Sequence, residues 1–231
     1  MSCTGFTDVT AGLQVWGSHG LIQIDEDYHT LSLVSKGHLV GSGAITLTNG
    51  VSPVCAIIPD FGPEEQIATV QSVTTSGTTW FWNIMGNCYY WIFDVIPSSS
   101  PNNVGLQVFK SDGSLAFDSS YAPMRVVGVF DHTPDNREAA TALQIGTLAG
   151  MGGRSIAFAQ SRPAFYLENR PLGVGSPRLG VGLEGVYVQG APAGASLGVY
   201  SMKRDIALEP TSTGPTQHQS GQHIAIDVTG L

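Results

Sequence analysis

Apolar and polar residues alternate with a period of two along most of the chain. Five runs rich in β-branched and aromatic residues follow one another between residues 44 and 95. Turn-forming pairs such as Asn49-Gly50 and Ser76-Gly77 separate them. This period places apolar side chains on one face of a β-strand, so the pattern predicts an all-β protein built from sandwich-like modules. The runs are 44–48, 54–58, 67–74, 79–84 and 89–95.

One stretch of this pattern occurs twice. Gly12–Val34 aligns without a gap on Gly105–Val127, and nine of the 23 positions are identical. Each copy predicts a hairpin followed by a third strand, with Gly20 and Gly113 supplying the positive φ of the turn. The charged positions differ between the copies, so the repeat preserves a shape and not a chemistry. A fainter echo over Leu197–Glu209 lacks the turn glycine and leaves a third copy open.

The repeat and its flanking segments predict the organisation of the chain. The loop Pro97–Asn103 directly precedes the second copy, which predicts two β modules, residues 1–104 and 105–231. One short helix is expected over Thr133–Gln144, because Thr133 can cap it and Pro134 suits its first position. The glycine-dense segment 173–198 predicts bulged strands, glycine-rich loops or an arm that lies on a neighbouring subunit.

Composition narrows the classes of partner. Only 12% of the residues are charged and the net charge is −8, so no basic cluster is present to bind nucleic acid. No apolar run reaches membrane-spanning length, so no membrane insertion is expected. The first basic residue is Lys36, which predicts that no signal peptide precedes it. Few charges in a chain rich in apolar residues are typical of a protein that covers much of its surface with partner subunits.

The three cysteines, Cys3, Cys55 and Cys88, lack metal-site spacing. We expect free thiols in a protein made in a reducing cytoplasm, with a Cys55–Cys88 disulfide as the alternative.

Candidate chemistry is sparse. The acidic cluster Asp25-Glu26-Asp27 with His29 could bind a divalent cation, but serines replace Glu26 and Asp27 in the second copy, which favours a solvated turn. Asp60 with Glu64 and Glu65 offers a carboxylate pair, and Asp131 with His132 an acid–base pair, without a catalytic motif around either. We therefore predict no enzyme, no cofactor and no metal.

Aromatic residues concentrate on two neighbouring strands. Trp80 and Trp82 share one face of the first strand, and Tyr89 and Trp91 lie on the second. Such residues form cores and subunit contacts, and an exposed ring can also stack on a sugar. These four are the candidate binding or interface residues, with core and subunit contact favoured over a glycan platform.

Two adjoining segments resemble a known family. Tyr89-Tyr-Trp-Ile-Phe-Asp94 and the glycine-led hairpin Gly105–Ser120, which ends in Phe-Asp-Ser, resemble tail-tip, baseplate and tail-fibre-associated proteins of tailed bacteriophages. The first copy departs from the signature with Ile24-Asp25-Glu26. The resemblance implies a virion protein, assembled in the host bacterial cytoplasm as a trimer or ring with other tail proteins. The alternative is a receptor-binding module for a host surface glycan or pilus.

Overall fold

The computed structural model describes residues 15–16, 22–24, 31–60, 67–96, 105–110, 112–134, 142–171, 177–209 and 217–231. All regular elements in these ranges are β-strands, and every strand pair is antiparallel, so the all-β prediction is confirmed. The strands are β1 (Val15–Trp16), β2 (Ile22–Ile24), β3 (Leu31–Leu39), β4 (Gly43–Leu47), β5 (Val54–Pro59), β6 (Thr69–Ser76), β7 (Thr79–Met85), β8 (Cys88–Val95), β9 (Gln107–Phe109), β10 (Leu115–Asp118), β11 (Val126–His132), β12 (Ala142–Leu148), β13 (Ile156–Arg162), β14 (Phe165–Pro171), β15 (Pro177–Val188), β16 (Leu197–Glu209), β17 (Gln217–Gln219) and β18 (Gly221–Asp227).

A six-stranded sheet forms the centre, in the order β11-β18-β13-β5-β8-β3. Its two edges meet at one point, where Ser32 of β3 bridges Pro123, just before β11. There the Leu33 amide donates to the Ala122 carbonyl at 2.8 Å, and the Met124 amide donates to the Leu31 carbonyl at 2.7 Å. The central sheet therefore closes on itself, and the inward-facing side chains form one core cluster. Its fully buried members are Ala56, Phe93, Ala157, Ala159, Ile226 and Val228.

Two smaller sheets cover the outer face of the central sheet. The three-stranded sheet β4-β7-β6 packs on β5 and β8, with Trp82 and Ile84 against Cys55 and Ile92. The five-stranded sheet β12-β16-β15-β14-β17 packs on β13 and β18 through a second apolar cluster that includes Phe158. Along β5 the side chains alternate between these layers, as strand geometry requires. This sheet-on-sheet packing gives the sandwich-like architecture.

The predicted modules, residues 1–104 and 105–231, are not separate sheets. The central sheet takes β3, β5 and β8 from the first and β11, β13 and β18 from the second. The hydrophobic alternation could not show this mixing, because it fixes which face of a strand is buried and not which strand lies beside it.

The duplicated segment does form the same substructure twice. Both copies make a two-stranded hairpin with equivalent register and an irregularity at the same place. Gly113 has a φ of +82°, as its turn requires, whereas Gly20 lies outside the described residues. The cross-strand pairs are Val15 with Ile24 and Trp16 with Ile22 in the first copy, and Val108 with Phe117 and Phe109 with Leu115 in the second.

The helix predicted over Thr133–Gln144 is wrong where the structure describes it. Ala142, Leu143 and Gln144 begin strand β12 and pair with β16, while residues 135–141 lie outside the described residues. No helix occurs in the described ranges.

The echo over Leu197–Glu209 is also not a third hairpin, because the whole segment is the single strand β16.

Cys55 and Cys88 are both buried and free, so the alternative of a disulfide between them is wrong. Burial raises the pKa of both thiols, and that of Cys88 reaches about 12 with a further contribution from Asp60. A thiol that stays protonated and covered is a poor nucleophile.

We expect both thiols of a Cys3→Ser variant to be silent towards a disulfide reagent such as DTNB in buffer. Both should react in strong denaturant, which supplies the control. Rapid reaction of either thiol in buffer would contradict the packing described here.

Candidate functional sites

The Trp80/Trp82 face lies in the core. Trp82 is 4% exposed and packs with Ile45 and Cys55. Trp80 stacks on Trp82 with ring centroids 6.2 Å apart, and its indole NH donates to the Gly50 carbonyl at 3.3 Å. This face therefore joins the three-stranded sheet to the central sheet and is not open to a sugar.

Of the two aromatic candidates on β8, only Tyr89 is exposed. Trp91 is half-buried against the inner core of the central sheet. Tyr89 is 45% exposed at the end of the same strand. The structure thus divides the four predicted residues into three packing residues and one surface ring.

Tyr89 belongs to a surface cluster with His38 and Asp60. The His38 ring stacks on Tyr89 at a centroid separation of 4.3 Å and an interplanar angle of 13°. His38 Nε2 lies 2.9 Å from Asp60 Oδ2, with both side chains more than a third exposed. The Asp60 amide donates to the Asn87 carbonyl, and the Asn87 side chain accepts from the Gly41 amide. Strand β3 supplies His38 and β8 supplies Tyr89 at directly paired positions.

This cluster offers a flat ring beside a carboxylate and an imidazole. These groups can stack on a planar or sugar-like ligand and form hydrogen bonds to it. Asp60 was predicted as a carboxylate candidate together with Glu64 and Glu65, which lie outside the described residues. His38 was not predicted, because no sequence signal pairs it with a residue 22 positions away.

A second group of titratable residues is buried between the five-stranded sheet and the central sheet. Lys203 and Glu184 occupy paired positions on β16 and β15, and both are buried. Glu168 of β14 is also buried, and Lys203 Nζ donates to its Oε1. We call this group the polar layer; its residues are Tyr166, Glu168, Glu184, Lys203 and His218 of the five-stranded sheet and His132 and His223 of the central sheet.

The polar layer joins the two sheets through an acid–histidine contact. Glu184 Oε2 lies 2.6 Å from His132 Nε2, with both side chains at most 4% exposed. The His132 ring stacks on His223 at 5.4 Å. Burial lowers the pKa of His223 to about 3, and the nearby His132 contributes to this decrease. Glu184 acts in the opposite direction and raises the pKa. His223 is therefore neutral at physiological pH.

The predicted Asp131–His132 pair does not form. Neighbouring residues on a strand point to opposite faces, and Asp131 faces outward to Gln222 at 3.0 Å and Arg162 at 3.6 Å. His132 points inward to Glu184 instead.

Space beside the polar layer is small. A partly open cleft lined by Gln160, Gly185 and His223 offers about 10 Å³, room for about one water molecule. Within the described ranges, no three His, Cys, Asp or Glu side chains are grouped to hold a metal ion. The predicted acidic cluster at residues 25–29 lies outside those ranges. The described part of the chain also contains no helix with the length and hydropathy of a membrane span.

Sequence reasoning missed most of the polar layer, although one signal was present. In a chain with 12% charged residues, Glu184 and Lys203 interrupt apolar and glycine-rich strand segments. A charge within such a strand indicates a buried partner.

Comparison with known proteins adds no name to these sites: no family model, no curated protein and no solved structure matches the chain.

Proposed function

We propose that this protein is a structural component of a bacteriophage tail, in the tail tip, the baseplate or a fibre adaptor, and that it is not an enzyme. The observation that carries the proposal is the pair of exposed apolar side chains on the second hairpin, Leu106 and Phe109. Strands β9 and β10 bury Val108, Ala116 and Phe117 together. On the same hairpin Leu106 is 48% exposed and Phe109 is 52% exposed.

An exposed apolar surface on such a hairpin favours a protein partner. Strands β9 and β10 form a sheet of their own, and two-stranded sheets are only marginally stable without further packing. The next strand, β11, also exposes Val126 and Val129, each about half accessible. Apolar residues and a low density of charge are typical of the centre of protein interfaces.

The resemblance of this hairpin to tail proteins supplies the rest of the proposal. Its partners would be other tail proteins and further copies of the chain in a trimer or ring. Assembly would take place in the cytoplasm of the host bacterium, and the finished protein would reside in the virion.

The test replaces Phe109 with serine. We expect the variant to fold, because Phe109 is half exposed, but to shift from oligomer to monomer in analytical ultracentrifugation and to be depleted from purified particles. Val40→Ser is the matched control, since Val40 is 75% exposed on the loop after β3. A wild-type protein that is monomeric at all concentrations and absent from virions would overturn the proposal.

A second candidate function is recognition of a host surface glycan or pilus. The His38–Asp60–Tyr89 cluster favours it, because it is an exposed aromatic ring with hydrogen-bonding groups beside it. Glycan-array binding that is lost in Tyr89→Ala and kept in Val73→Ala, a control on β6, would support this function. A wild-type protein that binds neither glycans nor pili would remove it.

A further inference from the structure

The pair of Lys203 and Glu168 has the arrangement of two groups that can condense. The Lys203 amine donates to Glu168 Oε1. Exposure of the two side chains is 0% for Lys203 and 6% for Glu168. A primary amine and a carboxyl group are thus held in contact away from bulk water. Bulk water would otherwise hydrate both groups and favour hydrolysis of an amide bond between them.

Neighbouring residues fix this contact. The Lys203 nitrogen lies 4.7 Å from the centroid of the Tyr166 ring, and Tyr166 is fully buried. Tyr166 lies over Gly182 of β15, where any side chain would overlap its ring. Because β15 separates β14 from β16, this glycine makes room for the Tyr166 ring on the middle strand, and the Lys203 nitrogen lies over that ring.

We propose that Lys203 and Glu168 form an intramolecular amide bond, an isopeptide cross-link that joins β16 to β14 across β15. The ammonium first transfers a proton to the Glu168 carboxylate through their shared hydrogen bond. The neutral amine then attacks Cδ of Glu168, so that a C–N bond forms and a C–O bond breaks. A second proton moves from nitrogen to the departing oxygen, which leaves as water. No oxidant, cofactor or second substrate is required.

His218 is placed to assist the loss of water. Its Nε2 lies 2.9 Å from the same Glu168 oxygen that Lys203 contacts. Nε2 makes no hydrogen bond in this orientation, so the ring must turn its N–H towards the leaving oxygen before the imidazole can donate a proton there and recover one from the nitrogen. Glu184 is paired with Lys203 in the sheet, and its carboxylate contacts His132 of the central sheet.

Such a bond would fasten three adjacent strands of the five-stranded sheet against separation. The inference does not depend on the virion role, because the groups that react belong to one chain.

Intact-mass spectrometry of the denatured full chain tests the proposal. We expect a mass lower than that of the sequence by one molecule of water, and a branched peptide that links the segments containing residues 168 and 203. Lys203→Arg and Glu168→Ala should have their full sequence masses. Lys36→Arg, a control at an exposed lysine, should still lose water.

Two further variants separate the chemistry from folding defects. Glu168→Gln should reach the same final mass as the wild type, because an amide side chain loses ammonia instead of water. His218→Gln should slow the reaction, so that uncross-linked chain remains shortly after synthesis and declines with time. Wild-type protein that keeps its full sequence mass would overturn the proposal, whatever the variants do.

Discussion

Replacement of Trp82 by alanine is expected to lower the free energy of unfolding by about 3–5 kcal/mol, the usual cost of removing a large aromatic side chain from a core. Trp82 is buried where the three-stranded sheet meets the central sheet, and it contacts residues of both. Its loss removes the stacking partner of Trp80 and leaves a cavity between two sheets that strand pairing holds in place. Urea unfolding followed by circular dichroism measures the change.

Tyr89→Ala is the control for this measurement. Tyr89 is a large aromatic residue on a neighbouring strand, but it is 45% exposed and its ring contact is with the exposed His38. We expect a loss of about 1 kcal/mol or less. Equal losses for the two variants would contradict the division between a packed tryptophan face and an exposed tyrosine.

The aromatic strands show what the sequence could establish. Alternation places Trp80 and Trp82 on one face of β7 with Phe81 on the other. It cannot say which face meets another sheet, because that depends on β5 and β8. The sequence alone could predict that the two hairpins match, because each is formed by residues that lie close together in the chain.

The predicted helix failed for a related reason. Thr133 and Pro134 are local signals for the start of a helix, and such preferences are weak compared with tertiary pairing. Ala142–Gln144 instead pair with Tyr200–Met202 of β16, nearly sixty residues along the chain. A partner at that distance has no local signal.

The polar layer was beyond sequence reasoning in the same way. His132 was considered with its neighbour Asp131, but its partner is Glu184, 52 residues away. Lys203 and Glu168 are 35 residues apart and lie on strands that do not pair with each other. Only the folding of the five-stranded sheet brings them together.

Acid is expected to destabilise the fold through His223. Burial holds the folded-state pKa of His223 at about 3, below the ordinary 6.5 of histidine. The unfolded chain therefore binds the proton more readily, and the stability that a neutral His223 permits is present above pH 6.5 and declines as the pH falls towards 3. Between about pH 7 and about pH 4, the proton uptake of this one residue lowers the free energy of unfolding by an amount on the order of 3 kcal/mol.

The measurement compares urea unfolding of the wild type with His223→Gln across that range. Glutamine cannot take up the proton, so the variant should lose stability less steeply as the pH falls, whatever its stability at neutral pH. His132 and Glu184 face His223 and remain in both proteins, so the difference in slope isolates residue 223. If His223→Gln and the wild type have the same slope, His223 binds its proton at the same pH in the folded and the unfolded chain, and burial does not hold its imidazole neutral between the two sheets.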